Sequence, residues 1–272
     1  MPPGGSRKVA FVRRQKSWGP KRRQQRPTQE SSQRSTDAII LYGWHTVRAA
    51  LENPARRIRR LLATENAARR LAAESVPLRI TPELVRPDAL ARRLSPDAVH
   101  NGVLAEADPL PSLELDEITP KGVVLVLDQV TDPHNVGAIL RTAAAFATAA
   151  IVTTARHSPE ATGVLAKSAS GALEYVPMVT VQNLARALAR LRERGYLLVG
   201  LDSSGEADLG GTELRSPLAI VLGAEGKGLR QLTRATCDHV ARLDLPGRIK
   251  SLNVSNAAAL GLYIASKRIG GA

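Results

Sequence analysis

Cysteine is almost absent from this chain of 272 residues, which contains only Cys237. A single thiol rules out an internal disulfide framework and a cysteine cluster for structural zinc, so we expect a reducing compartment. The five histidines show no ligand spacing, and we expect no metal. Apolar runs of the roughly 18 residues that a membrane span needs are missing, as is a charged start leading into an apolar run with a cleavage site. The sequence therefore predicts a cytoplasmic protein without a membrane segment.

Acidic residues are outnumbered by basic ones, 25 against 38, and the formal net charge of +13 favours a polyanionic partner such as nucleic acid. Residues 1–37 carry much of this excess, because they hold ten basic residues against Glu30 and Asp37. With few apolar residues and no periodicity, the segment cannot offset its ordering entropy, so we predict a disordered basic tail. It could solubilise the protein, bind phosphate with an affinity that fades with salt, or serve as an organelle transit peptide, although apolar helical periodicity is lacking.

A small α/β domain is predicted over residues 38–107. Its apolar segments are separated by short polar breaks and cover 39–42, a helix-like run over 44–52, then 58–63 and 66–74. The pair Asn53-Pro54 is a turn signal that ends the first helix, and Thr81-Pro82 predicts the start of another, with Thr81 as its cap. The proline-bounded, weakly patterned stretch 108–120 then predicts a linker.

Beyond the linker, residues 121–272 alternate between apolar runs and helix-like segments. The runs 123–127, 150–153, 196–201, 217–222 and 240–245 are rich in Val, Leu and Ile, which is typical of strands buried on both faces of a parallel sheet. Helix-like segments lie around 136–146, 183–194 and 253–267. This alternation predicts an α/β domain built on a mostly parallel sheet.

Ligands of an open parallel sheet bind at the carboxyl ends of its strands, so the residues after each apolar run are the first candidates for a site. After the first run, Asn135 is placed to cap a helix that presents Arg141. An arginine is conspicuous in a helix that is otherwise apolar and rich in alanine. We therefore favour a functional Arg141 over an ordinary cap followed by a solvated arginine.

Two further strand ends carry unusual residues. The segment Leu-Gly-Ala-Glu225-Gly-Lys-Gly places glycines on both sides of a carboxylate, which permits close backbone approach to a ligand. It matches neither the dinucleotide fingerprint nor the P-loop. In Ser251-Leu-Asn253-Val-Ser-Asn, polar residues crowd the start of a helix where one cap would suffice. The surplus predicts a site, with helix capping alone as the alternative reading of Ser251 and Asn253.

In this order and spacing, the three segments resemble motifs 1, 2 and 3 of the SpoU branch of the SPOUT methyltransferases. The resemblance extends upstream, where Leu41-Tyr-Gly-Trp-His and His100-Asn-Gly-Val look like the start and end of an RNA-binding domain similar to ribosomal protein L30e or L7Ae. It implies an S-adenosylmethionine-dependent RNA 2′-O-ribose methyltransferase with a C-terminal SPOUT domain over 121–272 and a deep trefoil knot, an exception to the rule against threaded chains. The layout is similar to the subgroup that methylates a guanosine of 23S ribosomal RNA. Members are typically homodimers, with residues of both subunits near each site.

Two sets of site residues follow from the motif match. The implied catalytic residues are Asn135, Arg141, Glu225, Ser251 and Asn253. The implied cofactor-binding residues are Leu222, Gly223, Leu245, Pro246 and Leu252. In the first set, Arg141 would contact the ribose 2′-oxygen, either as oxyanion stabiliser or as base. Relatives usually have a Met after the Pro of motif 3 and a longer loop before the Ser, whereas Gly247 follows Pro246 here and the cofactor loop is shorter.

Two alternatives stay open at this point. One is a catalytically silent RNA-binding or ribosome-assembly protein of the same fold, although a retired site would be free to lose several of the implied catalytic residues. The other is a transfer-RNA 2′-O-methyltransferase, which the separate N-terminal domain disfavours without deciding the question. We interpret His134 as a surface or satisfied polar residue, with RNA contact as the alternative. Arg156, Lys167, Lys227 and Arg230 are interpreted as solvated charges, and phosphate binding is the alternative for Lys227 and Arg230, which lie in the second motif.

Overall fold

Four short strands form the sheet of the N-terminal region. The computed structural model describes residues 38–156 and 163–269, so the tail predicted over 1–37 lies outside the described residues. The elements of this region are β1 (Ile39–Tyr42), α1 (Trp44–Glu52), β2 (Ile58–Ala63), α2 (Glu65–Ala73), β3 (Glu83–Leu84), α3 (Pro87–Ala91) and β4 (Val103–Ala107). Strand β4 lies between β1 and β2 and pairs antiparallel with both, and β3 joins β2 in parallel. The α/β character predicted for this region is confirmed.

Local signals account for the limits of α1. The helix begins after Gly43, whose φ of +86° lies in a region that glycine adopts without strain. It ends at Glu52, because Asn53 has an extended backbone before Pro54, as the residue preceding a proline prefers. Both limits agree with the sequence prediction.

The helix predicted from Thr81-Pro82 does not form there. The two residues that follow make β3 and pair in parallel with the end of β2, and the helix α3 begins only at Pro87, which occupies its first turn. The prediction was wrong because a start signal is local, whereas pairing with a distant strand stabilises the extended backbone at this position.

Seven strands, all parallel, form the second sheet, in the order β7-β6-β5-β10-β8-β11-β9. Its elements are β5 (Val123–Asp128), α4 (Pro133–Ala145), β6 (Ala150–Thr154), α5 (Gly163–Ala169), β7 (Met178–Val181), α6 (Leu184–Glu193), β8 (Leu197–Leu201), β9 (Ala207–Asp208), β10 (Leu218–Gly223), α7 (Gln231–Thr236), β11 (His239–Arg242) and α8 (Val254–Ile269). The predicted parallel α/β architecture is confirmed. The prediction missed the short elements β7, β9, α5 and α7, and it extended the last strand to 245, whereas β11 ends at Arg242.

Alternate residues of the central strands face different layers of helices. On β5, Leu125 and Leu127 belong to the apolar core that contains residues of α4, α5 and α8, whereas Val124 and Val126 pack with residues of α6. All four are fully buried. Because both faces of the sheet are covered, the carboxyl ends of its strands are where polar side chains can gather around a ligand.

The strands that follow β8 in the chain lie on both sides of it in the sheet. After β8 the chain forms β9 at the edge of the sheet, crosses to the other side of β8 to form β10, and then returns to form β11 between β8 and β9. The deep trefoil knot that the family resemblance implies stays a prediction.

The N-terminal sheet region packs against α5 and the 3-10 turn Ala172–Glu174 that follows it. The Thr46 hydroxyl donates a hydrogen bond to the carbonyl oxygen of Ala166 at 3.2 Å, in a buried setting. Arg56 and Glu174 form an ion pair with 2.6 Å between Nη2 and Oε1, and both side chains are only 2% exposed. Buried contacts therefore join the two sheet regions.

The predicted linker is held against the second sheet region. Ile118 is 2% exposed and packs into the core layer of α6. The Tyr196 hydroxyl donates to the carbonyl oxygen of Thr119 at 3.0 Å, and Arg194 donates to that of Leu115 at 2.6 Å. The boundaries predicted for this segment and for the two domains stay predictions.

Candidate functional site

A cleft of about 550 Å³ opens at the carboxyl ends of β8, β10 and β11. Residues of both implied sets line it, namely Leu222, Gly223, Glu225, Leu245, Ser251, Leu252 and Asn253. Among the described residues around the cleft, Pro246 is not part of the lining, although Leu245 just before it is. A concave site with apolar walls and a few convergent polar groups is typical of a small-molecule pocket.

The Asn253 amide joins three segments that are far apart in the sequence. Its Nδ2 donates to Oδ1 of Asn135 at 2.9 Å and contacts Oε2 of Glu225 at 3.5 Å. Its Oδ1 accepts hydrogen bonds from the backbone N–H of Ser255 at 2.9 Å and from the Ser255 hydroxyl at 2.6 Å. One side chain thus caps the start of α8 and also connects the first and second motif segments, so capping and a site role coexist.

Asn135 does not cap α4, which corrects the sequence prediction. The cap is Asp132, whose Oδ1 accepts a hydrogen bond from the backbone N–H of His134 at 3.0 Å, and Pro133 takes the first helical position. A proline suits that position because it lacks the N–H that would be left without a helical partner. Asn135 therefore lies within the first turn, and its side chain is available to Asn253.

Among the described residues, no hydrogen bond or ion pair joins Arg141 to the other implied catalytic residues within one chain. It is exposed on α4 and, among residues 38–156 and 163–269, its guanidinium has no hydrogen-bonding or ionic partner. Arg141 lies six positions after Asn135, which places the two side chains about 120° apart around the helix axis. Ser251 is exposed beside the cleft, and its hydroxyl likewise has no partner within the described ranges. Both groups are free to meet a ligand.

The glycines of the second motif make a tight turn beside the cleft. A β-carbon on Gly223 would lie 2.2 Å from the carbonyl carbon of Gly228, so no side chain fits there. Gly228 itself has a φ of +63°, and its N–H donates to the carbonyl oxygen of Ala224 at 2.9 Å. Glycine is required at these positions by close backbone contact and by backbone conformation, respectively.

Asp202, directly after β8, holds this turn in place. Its Oδ2 accepts from the backbone N–H of Leu229 at 3.3 Å, and a β-carbon on Gly228 would meet the same oxygen at 2.6 Å. Its Oδ1 accepts from the Ser204 N–H at 2.9 Å and hydroxyl at 2.6 Å. Burial by itself would raise the pKa of Asp202, but these hydrogen bonds and the nearby Arg234 guanidinium together lower it. The carboxylate therefore stays charged at neutral pH.

Sequence reasoning missed Asp202, Leu243 and Ile249, which also line the cleft. The available signal for Asp202 was its place immediately after an apolar run, the rule that identified the other three segments. Leu243 was assigned to a strand that in fact ends at Arg242. Ile249 belongs to the shortened loop, in which the Lys250 ammonium donates to the carbonyl oxygen of Leu245 at 2.6 Å.

The structure also bears on membrane helices, on metal sites and on the single cysteine. Within the described ranges, no helix is long and apolar enough to cross a membrane. In the same part of the chain, no group of three or more His, Cys, Asp or Glu side chains could hold a metal ion. Cys237 is a free cysteine whose thiol donates to the carbonyl oxygen of Thr233 at 3.3 Å. Burial, followed by the nearby Asp238 carboxylate, raises the pKa of this thiol to about 12.

Comparison with known families gives two matches that together span most of the chain. The model of the SpoU rRNA Methylase family matches residues 122–263. The model described as RNA 2′-O ribose methyltransferase substrate binding matches residues 40–113.

Individual relatives agree with these matches over nearly their whole length. The 23S rRNA (guanosine-2′-O-)-methyltransferase RlmB of Pseudomonas putida is 39% identical over 240 residues, which cover 84% of this chain and 96% of the relative. The protein of the same name from Ralstonia nicotianae is also 39% identical, over 84% of this chain and 95% of its own. Among solved structures, the SpoU methyltransferase AviRb from Streptomyces viridochromogenes in complex with AdoMet has a TM-score of 0.72 at 25% identity, covering 85% of this chain and 90% of AviRb.

Proposed function

The chain belongs to the SpoU rRNA Methylase family, and we propose that it transfers a methyl group from S-adenosylmethionine to the ribose 2′-oxygen of a guanosine in 23S rRNA. The observation that carries this proposal is the Asn253 amide, which joins Asn135 and Glu225 beside a cleft of suitable size. The names of the Pseudomonas and Ralstonia relatives support the substrate. Action on ribosomal RNA would place the protein in the cytoplasm.

The cleft residues fit S-adenosylmethionine. A volume of about 550 Å³ lies in the range of small-molecule sites, and Leu222 and Leu245 offer apolar surface for an adenine ring. Gly223, where no β-carbon fits, presents bare backbone to a ligand. The bound cofactor supplies a methyl group on a positively charged sulfur. Asp202 and Glu225, both in the lining, favour a cation in this cleft. The AdoMet complex of AviRb supports the same cofactor.

Negative charge develops on the 2′-oxygen as its proton passes to a phosphate oxygen of the substrate or to water, and we assign Arg141 to stabilise that charge. A guanidinium remains protonated at physiological pH, so Arg141 acts as a hydrogen-bond donor to the oxyanion and not as a base. The Asn135 and Asn253 amides hold the target nucleotide, and Glu225 binds the ribose or orients the guanidinium by a charge-assisted hydrogen bond. Ser251 hydrogen-bonds to substrate or backbone beside the methyl donor.

We also propose that the active protein is a homodimer with sites shared between subunits. Within one chain the Arg141 side chain lies about 120° around the helix axis from that of Asn135, so a partner's arginine can complete the site. On α8, the helix that Asn253 caps, Leu260 is 40% exposed and Tyr263 50% exposed, three residues apart on one face. An apolar pair of this kind on a helix that leads from the site is suited to contact with a second copy.

Methyl transfer tests the activity. Tritiated S-adenosylmethionine is incubated with total RNA from a strain that lacks the gene, using wild-type protein, Arg141→Ala and, as a matched control, the exposed Arg215→Ala. We expect label in one 23S rRNA guanosine, a loss of about 10²–10³-fold with Arg141→Ala, and no loss with the control. Label in transfer RNA would favour the transfer-RNA enzyme, and RNA binding without label on any RNA would favour a silent RNA-binding protein.

Mixed dimers test the shared site. Unfolding and refolding Arg141→Ala together with Asn253→Ala gives mixed dimers that carry one substitution in each subunit. One of the two sites then has both residues intact only if each site combines Asn253 of one subunit with Arg141 of the other. If Arg141 acts across the interface, the mixture regains about a quarter of wild-type activity, although neither variant is active alone. If the site lies within one chain, mixing restores nothing.

A further inference from the structure

A second cleft lies at the carboxyl ends of β6 and β7, on the other half of the sheet edge from the cofactor cleft. It has a volume of about 480 Å³, and its lining includes Thr154, Arg156, Asn183, Arg230 and Leu232. None of the described residues that line it is an Asp or Glu. From the sequence, its two arginines were interpreted as solvated side chains, with phosphate binding as the alternative for Arg230.

Arg230 is held rigidly in this cleft by a buried carboxylate. Asp128, at the end of β5, is fully buried, and its Oδ1 accepts from Nε of Arg230 at 2.6 Å while its Oδ2 accepts from the backbone N–H of Arg230 at 3.1 Å. The two Nη groups have no partner within the described ranges, and the side chain is 43% exposed. A guanidinium fixed at one nitrogen, with its other donors directed elsewhere, is prepared to bind a second anion at little entropic cost.

Arg156 adds a second positive group to the same cleft. It is exposed, and among the residues that the structure describes it has neither a hydrogen bond nor an ion pair. Thr154, which also lines the cleft, is 5% exposed, and its buried hydroxyl has no hydrogen-bond partner in the described part of the chain. The ten-residue helix α6 begins here after its cap Asn183, with the positive end of its dipole at the cleft. Each of these features favours an anion.

The arginine cleft lies beside the cofactor cleft along the sheet edge, and this position indicates which anion it binds. Strand β5 lies between β6 and β10, so the segment that leads from Asp128 to Asn135 runs between the arginine cleft and the cofactor cleft. A nucleotide held at Asn135 and Asn253 therefore has the arginine cleft as its neighbour along the sheet edge. We propose that Arg156 and Arg230 bind phosphodiester groups of RNA that flank the methylated nucleotide. This inference rests on the proposed function and extends its RNA contact from the reacting ribose to the adjoining backbone.

The test compares RNA affinity and its salt dependence in full-length variants. Filter binding of radiolabelled, unmodified 23S rRNA transcribed in vitro is measured over a series of KCl concentrations for Arg156→Gln and for Arg156→Gln combined with Arg230→Lys. The lysine retains a positive partner for buried Asp128 but removes the fork of donors. The matched control is Arg215→Gln, which removes an exposed arginine before β10, at the opposite, amino edge of the same sheet.

We expect Arg156→Gln to bind RNA about tenfold more weakly at low salt and to reduce the magnitude of the negative slope of log affinity against log salt by about one, with a further loss in the double variant. The KM for RNA should rise while kcat at saturating RNA and the calorimetric Kd for S-adenosylmethionine stay unchanged. The control should match the wild type. In a competition experiment, free guanosine monophosphate should displace little RNA, because the cleft binds phosphodiester groups of an RNA chain that also contacts the protein at the target nucleotide.

Two results separate this inference from the proposed function. If both variants retain the wild-type affinity, salt slope and KM for RNA, the phosphate cleft is refuted even when methyl transfer is normal. If the wild type labels no RNA but the variants lose affinity as expected, the proposed activity is refuted and the phosphate cleft is supported. Strong displacement of RNA by guanosine monophosphate would overturn the assignment to RNA backbone in favour of a free nucleotide.

Discussion

Charged side chains are buried and paired at the contact between the two sheet regions, whereas two arginines of the large-sheet region are exposed and unpaired within the described ranges. At the contact, the Glu174 carboxylate accepts hydrogen bonds from Arg56 and from the Asn53 amide, and Arg56 also donates to the carbonyl oxygen of Asp108. In the large-sheet region, Arg141 on α4 and Arg156 after β6 are exposed and have no partner among the described residues. Satisfied, buried charges hold the fold together, whereas exposed charges without partners are available to a substrate.

The largest effect we expect is a loss of stability on breaking the buried pair. Glu174→Ala leaves the Arg56 guanidinium buried without its counter-charge, which should lower the free energy of unfolding by about 3–5 kcal/mol. Urea denaturation followed by circular dichroism measures the change. Removing both charges, in Arg56→Met with Glu174→Met, should recover part of the loss because no uncompensated charge remains.

An exposed ion pair supplies the control for that experiment. Arg92 and Asp88 pair on α3 with side chains 75% and 62% exposed, so Asp88→Ala should cost less than about 1 kcal/mol. If Glu174→Ala costs no more than Asp88→Ala, the buried contact does not stabilise the protein, and the contrast between the two regions fails.

A smaller effect is expected where a half-buried carboxylate meets the cofactor cleft. Asp202→Asn removes the charge that accepts hydrogen bonds from Ser204 and Leu229, so the glycine turn loses its fixed position. A charge-assisted hydrogen bond contributes about 1.5–3 kcal/mol, and we expect the Kd for S-adenosylmethionine to rise about tenfold or more. Isothermal titration calorimetry measures this change, and RNA affinity should stay the same.

Asp116→Asn is the matched control, because Asp116 is 59% exposed and pairs with Arg190 away from the cleft. It should leave cofactor affinity unchanged. Equal losses of cofactor affinity in the two variants would mean that Asp202 has no specific role in positioning the turn.

The smallest effect concerns the Cys237 thiol, whose pKa is raised to about 12. The folded state retains this proton at a pH where the unfolded thiol has lost it. The stabilisation is therefore complete below the ordinary cysteine pKa and is lost as pH rises toward about 12. Iodoacetamide at mildly alkaline pH should label the urea-unfolded chain quickly and the native protein very slowly. Comparable labelling rates in the two states would contradict the raised pKa.

Sequence patterns predicted the elements well where the signal was local. The first two strands and α1 were predicted at their observed limits, because apolar runs and the Asn53-Pro54 turn depend only on neighbouring residues. The predicted helix start at Thr81 and cap at Asn135 were wrong for a shared reason. Each signal had a competitor that periodicity does not reveal: pairing with β2 in one case, and the Asp132 cap before Pro133 in the other.

The candidate site was predictable in its membership but not in its arrangement. Glu225 and Asn253 were identified from polar residues that follow apolar runs, and the structure places both at the cleft. Asp202 follows an apolar run as well, but it was overlooked because the Ser-Ser-Gly that comes after it matches none of the three motif segments. The roles of these residues stay proposals until the variants are measured.

By itself the sequence determined the family, the alternation of strands and helices and the identity of the motif residues, since all of these are written in short-range pattern and spacing. Only the tertiary structure decided that Asn253 meets Asn135 and Glu225, that Arg56 is buried with Glu174, and that Arg141 and Arg156 are left without partners in the described part of the chain. The physical reason is that these contacts depend on the order in which seven parallel strands lie side by side, and that order follows from packing across the whole sheet.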